Sequence, residues 1–331
     1  MYFLLGTALI FALLLVSNVA ASVSATVLWR AVARRAENWT AQSRARFIFS
    51  LRVLPFVAAL VFVLVFLVPA YLLFEPHSSG EIVSFKLAFL SIISAAGVGI
   101  AFCRIFRTWR ATRRLASDWM RHAEAIRISG VSIPVYRIRH SFPVVAVVGA
   151  IRPRMFVAEQ IFASLDEREF QAAIAHEAGH LAARDNLKRT LMRGCRDLLV
   201  LPFGNSLDRA WTENAESSAD EYAARMGGNL TALNLAAALI KIARIVPEGA
   251  KPTMPAGAFL IEAQTAEIAA RVQRLLQIAE SENILEIPRG FKYPYRLYSG
   301  VVLTVILLIA TNQEFLQKIH IALEKIVRVL Q

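Results

Sequence analysis

The stretch "AIAHEAGHLAARD", residues 173–185, decides how the rest of the chain is interpreted. Residues four apart on a helix share one face, so His176 and His180 can direct two imidazole nitrogens at one point. Glu177 lies beside that face, where it can reach a water on a metal without binding the metal itself. This His-Glu-x-x-His spacing predicts a Zn²⁺ site with Glu177 as the catalytic base. The alternative is an ordinary helix that carries two surface histidines.

A catalytic zinc takes three protein ligands and keeps one position open. The segment "ENAESSADEYAAR", residues 213–225, offers Glu216 and Asp220 four apart on a predicted helix. We expect Glu216 to bind zinc and Asp220 to accept a hydrogen bond from the ring N–H of a ligand histidine. His122 and His140 are alternative ligands that no pattern supports. The alternative for the two acids is a solvated helix face.

Small residues surround the two histidines. Gly179 lies inside the predicted helix, where glycine costs about 1 kcal/mol relative to alanine. A helix that tolerates this cost gains the close approach of another element. Alanines occupy neighbouring positions 172, 173, 175, 178, 182 and 183, and the acidic segment has alanines at 219, 223 and 224. We therefore expect the two helices to pack tightly.

Long apolar runs indicate membrane spans. The chain has 331 residues, 56% of them hydrophobic, and a mean hydropathy of +0.48, which is too apolar for an ordinary soluble domain. Runs at 2–29, 53–74 and 87–103 can each cross roughly 30 Å of hydrocarbon, and they place three spans in residues 1–103. A shorter run predicts a fourth span at 297–311. A cleaved signal peptide is the alternative for the first run, which lacks a basic start.

Arginine sets the predicted orientation. The formal charge is +12, and much of the excess arginine flanks apolar runs, as membrane anchors do, so we expect no direct contact with nucleic acid. The predicted loop 30–52 and the segment that begins at Arg104 are arginine-rich, whereas residues 75–86 hold two glutamates and one lysine. The positive-inside rule places both basic segments, and the domain formed by residues 104–296, in the cytoplasm.

That domain is predicted to be α+β. Gly149 and Pro153 bracket a turn, and a capping box begins at Ser164 with Glu167. Strands are expected at 133–140, 144–150 and 154–159, and later helices at 207–226, 230–246 and 259–280, with a loop at 247–257. A substrate peptide could add to the sheet edge along 144–148 or 155–158.

The last residues, 312–331, predict an amphipathic helix. One helical face carries five apolar side chains: Leu316, Ile319, Leu323, Ile326 and Leu330. Such a helix lies on the bilayer surface or packs against a partner.

The motifs "HEAGHLAARD" and "ESSAD" (216–220) together resemble those of integral-membrane zinc peptidases. Two branches share them: CAAX-processing and heat-shock-linked membrane proteases, and BlaR/MecR-type antirepressor peptidases. The span layout is similar to the second branch, as are residues 143–180 and "RVQRLL" at 271–276. The chain departs from that branch because no penicillin-binding sensor follows the last span, so we do not expect it to sense β-lactams directly.

The resemblance implies an α-helical protein of the bacterial inner membrane with a cytoplasmic zincin-like metallopeptidase domain. The implied function is regulated cleavage of a cytoplasmic protein, such as a transcriptional repressor. Expected partners are a protein or peptide substrate, the lipid bilayer, and a second copy of the chain or a separate sensor. Two other hypotheses stay open: a quality-control zinc protease for membrane proteins, and a non-catalytic signalling protein with a degenerate zinc site.

Overall fold

Three long helices begin the chain. The computed structural model describes residues 2–76, 83–197, 205–246, 265–280, 306 and 308–330. Its first elements are helix α1 (Tyr2–Ala36), helix α2 (Ala41–Val61), a π-helical segment (Phe62–Leu67), helix α3 (Val68–Phe74) and helix α4 (Phe85–Met120). In the described part of the chain, three helices are long and apolar enough to cross a membrane: Tyr2–Ala36, Ala41–Phe74 and Phe85–Met120.

These helices contain the three predicted apolar runs and extend beyond them on the arginine-rich side. The segment 30–52, expected as a loop, is therefore mostly helical, with a short turn before Thr40. Thr40 caps α2 by accepting a hydrogen bond from the Ser43 N–H. The predicted fourth span at 297–311 lies mostly outside the described residues, and no helix long enough to span is described there.

The C-terminal helix α11 (Gln313–Leu330) packs against the first helices of the same chain. Leu323 lies in an apolar cluster with Val63 and Leu67. Val327 lies in another cluster with residues of α1. Leu316 and Leu323 of the predicted face are buried, as is Val327, whereas Ile326 is exposed. Part of the predicted apolar face therefore packs against the chain's own helices.

A four-stranded sheet follows the long apolar helices. Its strands are β1 (Glu124–Ile126), β2 (Val135–Ile138), β3 (Val145–Val148) and β4 (Arg154–Ala158). The order is β1-β2-β4-β3, in which β2 and β4 are parallel and the other pairs are antiparallel. The three predicted strands are present, and β1 was missed because three residues carry no usable alternation. Gly149 makes the predicted turn with φ +104°.

Six helices then form the rest of the domain's described part. They are α5 (Glu159–Ser164), α6 (Glu167–Ala183), α7 (Asp185–Asp197), α8 (Asn205–Gly227), α9 (Asn229–Ile245) and α10 (Thr265–Glu280). The predicted cap at Ser164 is wrong, since Ser164 ends α5. Asp166 caps α6 instead, in a capping box with Glu169. The predicted loop 247–257 and the expected helix start at 259 lie outside the described residues.

The core places α6 between the sheet and two other helices. Phe156 of the sheet, Ile174 of α6 and Ile242 of α9 belong to one apolar cluster. On its other side α6 meets α8 at Gly179, where an added Cβ would lie 3.0 Å from the Cα of Ala219. This distance confirms the close helix approach that the glycine predicted.

We predict that Gly179→Val destabilises the domain. The new side chain would force α6 and α8 apart, and overpacking of this kind typically costs about 1–3 kcal/mol. Thermal unfolding in detergent should show a lower midpoint than for wild type. Gly99→Val is the matched control, because a Cβ at Gly99 meets nothing within 4 Å. An unchanged midpoint for Gly179→Val would contradict the packing argument.

Candidate metal centre

Helix α6 presents two histidines to one point, as their spacing requires. The Nε2 atoms of His176 and His180 lie 3.1 Å apart. Both residues are only 3% exposed. The alternative of two surface histidines is therefore wrong.

Glu216 of α8 completes the group. Its Oε2 lies 3.6 Å from the Nε2 of His176, and its Oε1 lies 3.6 Å from the Nε2 of His180. Among the described residues, these three side chains form the one group of His, Cys, Asp or Glu whose ligand atoms could hold a metal ion. The close approach of α6 and α8 at Gly179 brings Glu216 within this range.

The three donor atoms fit a zinc ion. Tetrahedral zinc with bonds of about 2.0–2.1 Å requires its ligand atoms to be about 3.3 Å apart. The two Nε2 atoms are 3.1 Å apart, each lies 3.6 Å from one of the two Glu216 oxygens, and one ligand atom from each residue can be chosen so that all three lie within 4.8 Å of one another. Two histidines and one glutamate also match the donor set of catalytic zinc, which keeps one position open.

Carboxylates orient both imidazole rings through hydrogen bonds at Nδ1. The Nδ1 of His176 lies 2.9 Å from Asp220 Oδ1, and the Nδ1 of His180 lies 2.9 Å from Asp185 Oδ2. Such partners hold the proton on Nδ1 and leave Nε2 for a metal. Asp220 is fully buried, so a solvated face is excluded for it.

Asp185 was missed by sequence reasoning, although it ends the stretch that identified the histidines. It follows Arg184, which ends α6 in a left-handed conformation with φ 55°. This reversal turns Asp185 back toward the helix that has just ended. The signal available in the sequence was an acidic residue directly after the histidine helix.

Arg271 of α10 is the second residue that the sequence did not assign to the site. Its Nη1 lies 3.0 Å from Glu216 Oε2. Its Nε and Nη2 donate to the two oxygens of Asp220, at 3.1 and 2.6 Å. This bidentate contact fixes Asp220, and the third contact fixes Glu216. Only the resemblance at 271–276 drew attention to this segment.

Charge coupling shifts the pKa values of the cluster. Burial lowers the pKa of His180, but Glu216 and Asp185 together outweigh burial and raise that pKa to about 10. Burial raises the pKa of Asp220, but Arg271 and His176 together outweigh burial and lower that pKa to about 2. The pKa of Glu216 falls well below its ordinary value, because Arg271 and His180 together outweigh burial. A metal ion entering this site therefore displaces protons from the histidines.

Glu177 stands apart from these pairs. It is 2% exposed, and its Oε2 has no hydrogen-bond partner in the described structure. Burial raises the pKa of this carboxyl group. A buried carboxylate oxygen without a partner is costly, and it is available to a water or a substrate.

The two alternative histidine ligands lie elsewhere. His122 is exposed. The ring of His140 packs edge-on against Trp119, with centroids 5.6 Å apart, and its Nδ1 accepts the N–H of Phe142. Neither belongs to the group of ligand atoms that could hold a metal.

Residues 111–246 match the sequence model of peptidase family M48. The match runs from within α4 to the end of α9, so it includes the three candidate ligands and Glu177. The match supports an M48-type peptidase domain that begins within the third of the helices that could cross a membrane, and M48 peptidases are zinc metallopeptidases. It does not single out the BlaR/MecR-type branch. No curated protein matches the chain.

We predict that Glu216→Ala removes most of the bound zinc. Loss of a residue that only orients a ligand weakens metal binding about 10–100-fold, so loss of a ligand should exceed about 100-fold. Zinc content of the purified protein, measured by elemental analysis, tests this. Glu213→Ala is the control, since Glu213 is exposed on the same helix. Equal zinc in wild type and Glu216→Ala would remove Glu216 from the ligand set.

Proposed function

We propose that the chain is a membrane-embedded zinc endopeptidase that cleaves proteins at the cytoplasmic face of the membrane. The observation that carries this proposal is the convergence of His176, His180 and Glu216 beside an unpaired, buried Glu177. The M48 match supports a metallopeptidase, and the three long apolar helices support its association with a membrane.

The side chains have distinct proposed roles. Bound zinc supplies a Lewis acid that polarises the scissile carbonyl and lowers the pKa of water toward about 7. Glu177 takes a proton from the attacking water and delivers it to the leaving amine. Asp220 and Asp185 hold the rings of His176 and His180, while Arg271 neutralises the acidic side of the site.

Contacts between α2 and α8 support a site close to the membrane. Arg52, in the arginine-rich part of α2, donates to Asp208 of α8 at 3.0 Å. Ile48 and Trp211 lie in one apolar cluster between the same helices. Glu216 is therefore carried by a helix that rests on the end of a membrane helix. The arginine distribution favours the cytoplasm as the compartment that this end faces.

Strand β3 is the part of the sheet best suited to bind an extended substrate. It pairs only with β4 in the described sheet, so no strand pairs with its other edge there. The expectation that residues 155–158 could serve equally is wrong, because β4 pairs with β2 on one side and β3 on the other. An incoming chain would then add as a further strand beside β3.

We predict that Glu177→Gln keeps zinc but abolishes most proteolysis. The amide retains the size of the side chain but cannot accept the proton, and loss of general base catalysis typically costs about 10²–10⁴-fold in rate. Zinc content and the rate of peptide cleavage are measured on the same preparation. Glu167→Gln, at an exposed position on α6, is the control. Proteolysis at the wild-type rate in Glu177→Gln would rule out this role.

For the substrate, we propose one cytoplasmic protein, such as a transcriptional repressor, cut in response to an envelope signal. The signal would reach the site through a separate sensor or a second copy of the chain. Support for this comes from the span layout and from motifs similar to the BlaR/MecR-type branch. The competing functions are quality control of membrane proteins and non-catalytic signalling.

Zinc-loaded protein should cut a repressor encoded beside its gene at a defined site and leave casein intact. Both digestions are followed by mass spectrometry, with Glu177→Gln as the inactive control. Cleavage of casein at many sites would favour quality control instead. Cleavage of neither protein would favour the non-catalytic alternative.

A further inference from the structure

The hydrogen-bond register shows which groups of β3 face its open edge. Ala158 donates its N–H to Val144 O at 2.7 Å, and Ala146 lies opposite Phe156 in the antiparallel register. Bonded and non-bonded pairs alternate in such a ladder. Val145 and Val147 therefore direct their N–H and C=O groups away from β4, toward the open edge.

Asn186 of α7 already occupies part of this edge. Its Nδ2 donates to Val147 O at 2.7 Å and approaches Gly149 O at 3.3 Å. The opposite amide orientation would place Oδ1 against two carbonyl oxygens, so these contacts fix which atom is the donor. The carbonyl oxygen of Val147 is thus already bonded to Asn186 and is not available to accept a hydrogen bond from a chain at this edge.

The other end of the same amide is unused. Asn186 is 8% exposed, and its Oδ1 has no hydrogen-bond partner in the described part of the chain. A buried acceptor without a donor is costly, and native structures rarely leave one without a purpose. This oxygen is the acceptor that an N–H group entering beside β3 would find.

We propose that Asn186 binds the main chain of the substrate, with Oδ1 replacing Val147 O as the acceptor for one substrate N–H. The inference rests on the proposed endopeptidase function and extends it to how the substrate is held. Val145 keeps its donor and acceptor for the chain, and Val147 keeps its donor. The recognised group is a peptide N–H, so this contact is independent of substrate side chains.

The position of Asn186 also links this contact to the metal site. It directly follows Asp185, whose carboxylate orients the His180 ring. The two residues start α7 immediately after the left-handed Arg184. One short segment therefore sets both a zinc ligand and the strand edge, which fixes the register of a bound peptide relative to the site.

The edge is shielded from solvent in this structure. Val145 and Val147 are 1% and 3% exposed. A substrate chain must therefore displace whatever covers the edge before it can pair with β3. Direct measurement of binding, separated from cleavage, is the appropriate test.

The test uses the full-length zinc-loaded chain carrying Glu177→Gln, so that peptide binds without being cut. The probe is a fluorescein-labelled peptide spanning a site that the wild-type chain cleaves in the repressor or in casein. Added Asn186→Ala should raise the Kd about tenfold, because the acceptor for one substrate N–H is lost. Zinc content should stay unchanged.

Asn214→Ala is the matched control. Its Nδ2 also donates to a carbonyl, that of Ala210, at 2.7 Å, but within its own helix. The Kd for this variant should equal that of the Glu177→Gln parent. A general loss of stability would raise the Kd in both variants, whereas the proposed contact raises it only at Asn186.

A second measurement requires no change at Asn186. The peptides are N-methylated at one amide at a time. Among the amides that pair with β3, methylation of a single one should weaken binding to the Glu177→Gln parent about tenfold. The same methylation should not weaken binding to the Asn186→Ala variant any further. Unchanged Kd in Asn186→Ala, or additive effects of methylation at every position, would overturn this inference and leave the zinc endopeptidase intact. Failure of wild type to cleave either protein would overturn both.

Discussion

The contact between α6 and α8 at Gly179 is the constraint on which the site depends. Two candidate zinc ligands are four residues apart on one helix, but the third lies on another helix, 36 residues beyond His180. Only a close helix crossing can bring Glu216 within 3.6 Å of both rings. The absence of a side chain at Gly179 permits this crossing, and its cost in helix propensity of about 1 kcal/mol is offset by the geometry gained.

Charge balance holds the resulting cluster together. Six ionisable groups are brought into a small buried volume, and each is paired: His176 with Asp220, His180 with Asp185, and Arg271 with both Glu216 and Asp220. Removing one member of a buried charge network leaves its partner uncompensated, which is more costly than the loss of a surface ion pair. The network therefore fixes the ligand positions before any metal arrives.

The long apolar helices and the domain share structural elements. Helix α4 extends from its apolar run into the cluster beneath the sheet, where Trp119 packs. Helix α2 reaches α8 through Arg52 and Asp208. Helix α11 packs on α1 and on the π-helical segment that follows α2. Helix α8, which carries Glu216, thus contacts α2, and α2 leads into the segment on which α11 packs.

The sequence by itself determined the features that depend on local periodicity. Helical spacing predicted the shared face of His176 and His180, apolar length predicted three spans, and short β-rich runs predicted three of the four strands. It also proposed Glu216, because an acid at helical spacing from Asp220 matched the chemistry that zinc requires. Each of these depends on neighbours in the chain, which a sequence displays directly.

Only the tertiary structure decided which distant groups meet. Arg271 lies on a helix with no metal-binding pattern, and its role follows from the packing of α10 beside Glu216 and Asp220. Asp185 and Asn186 depend on the reversal at Arg184, which no pattern predicted. The position of Glu216 beside the two histidines, where neither His122 nor His140 lies, likewise depends on the crossing of α6 and α8. Contacts between separate elements depend on how whole surfaces pack, so residue spacing along one helix or strand does not predict them.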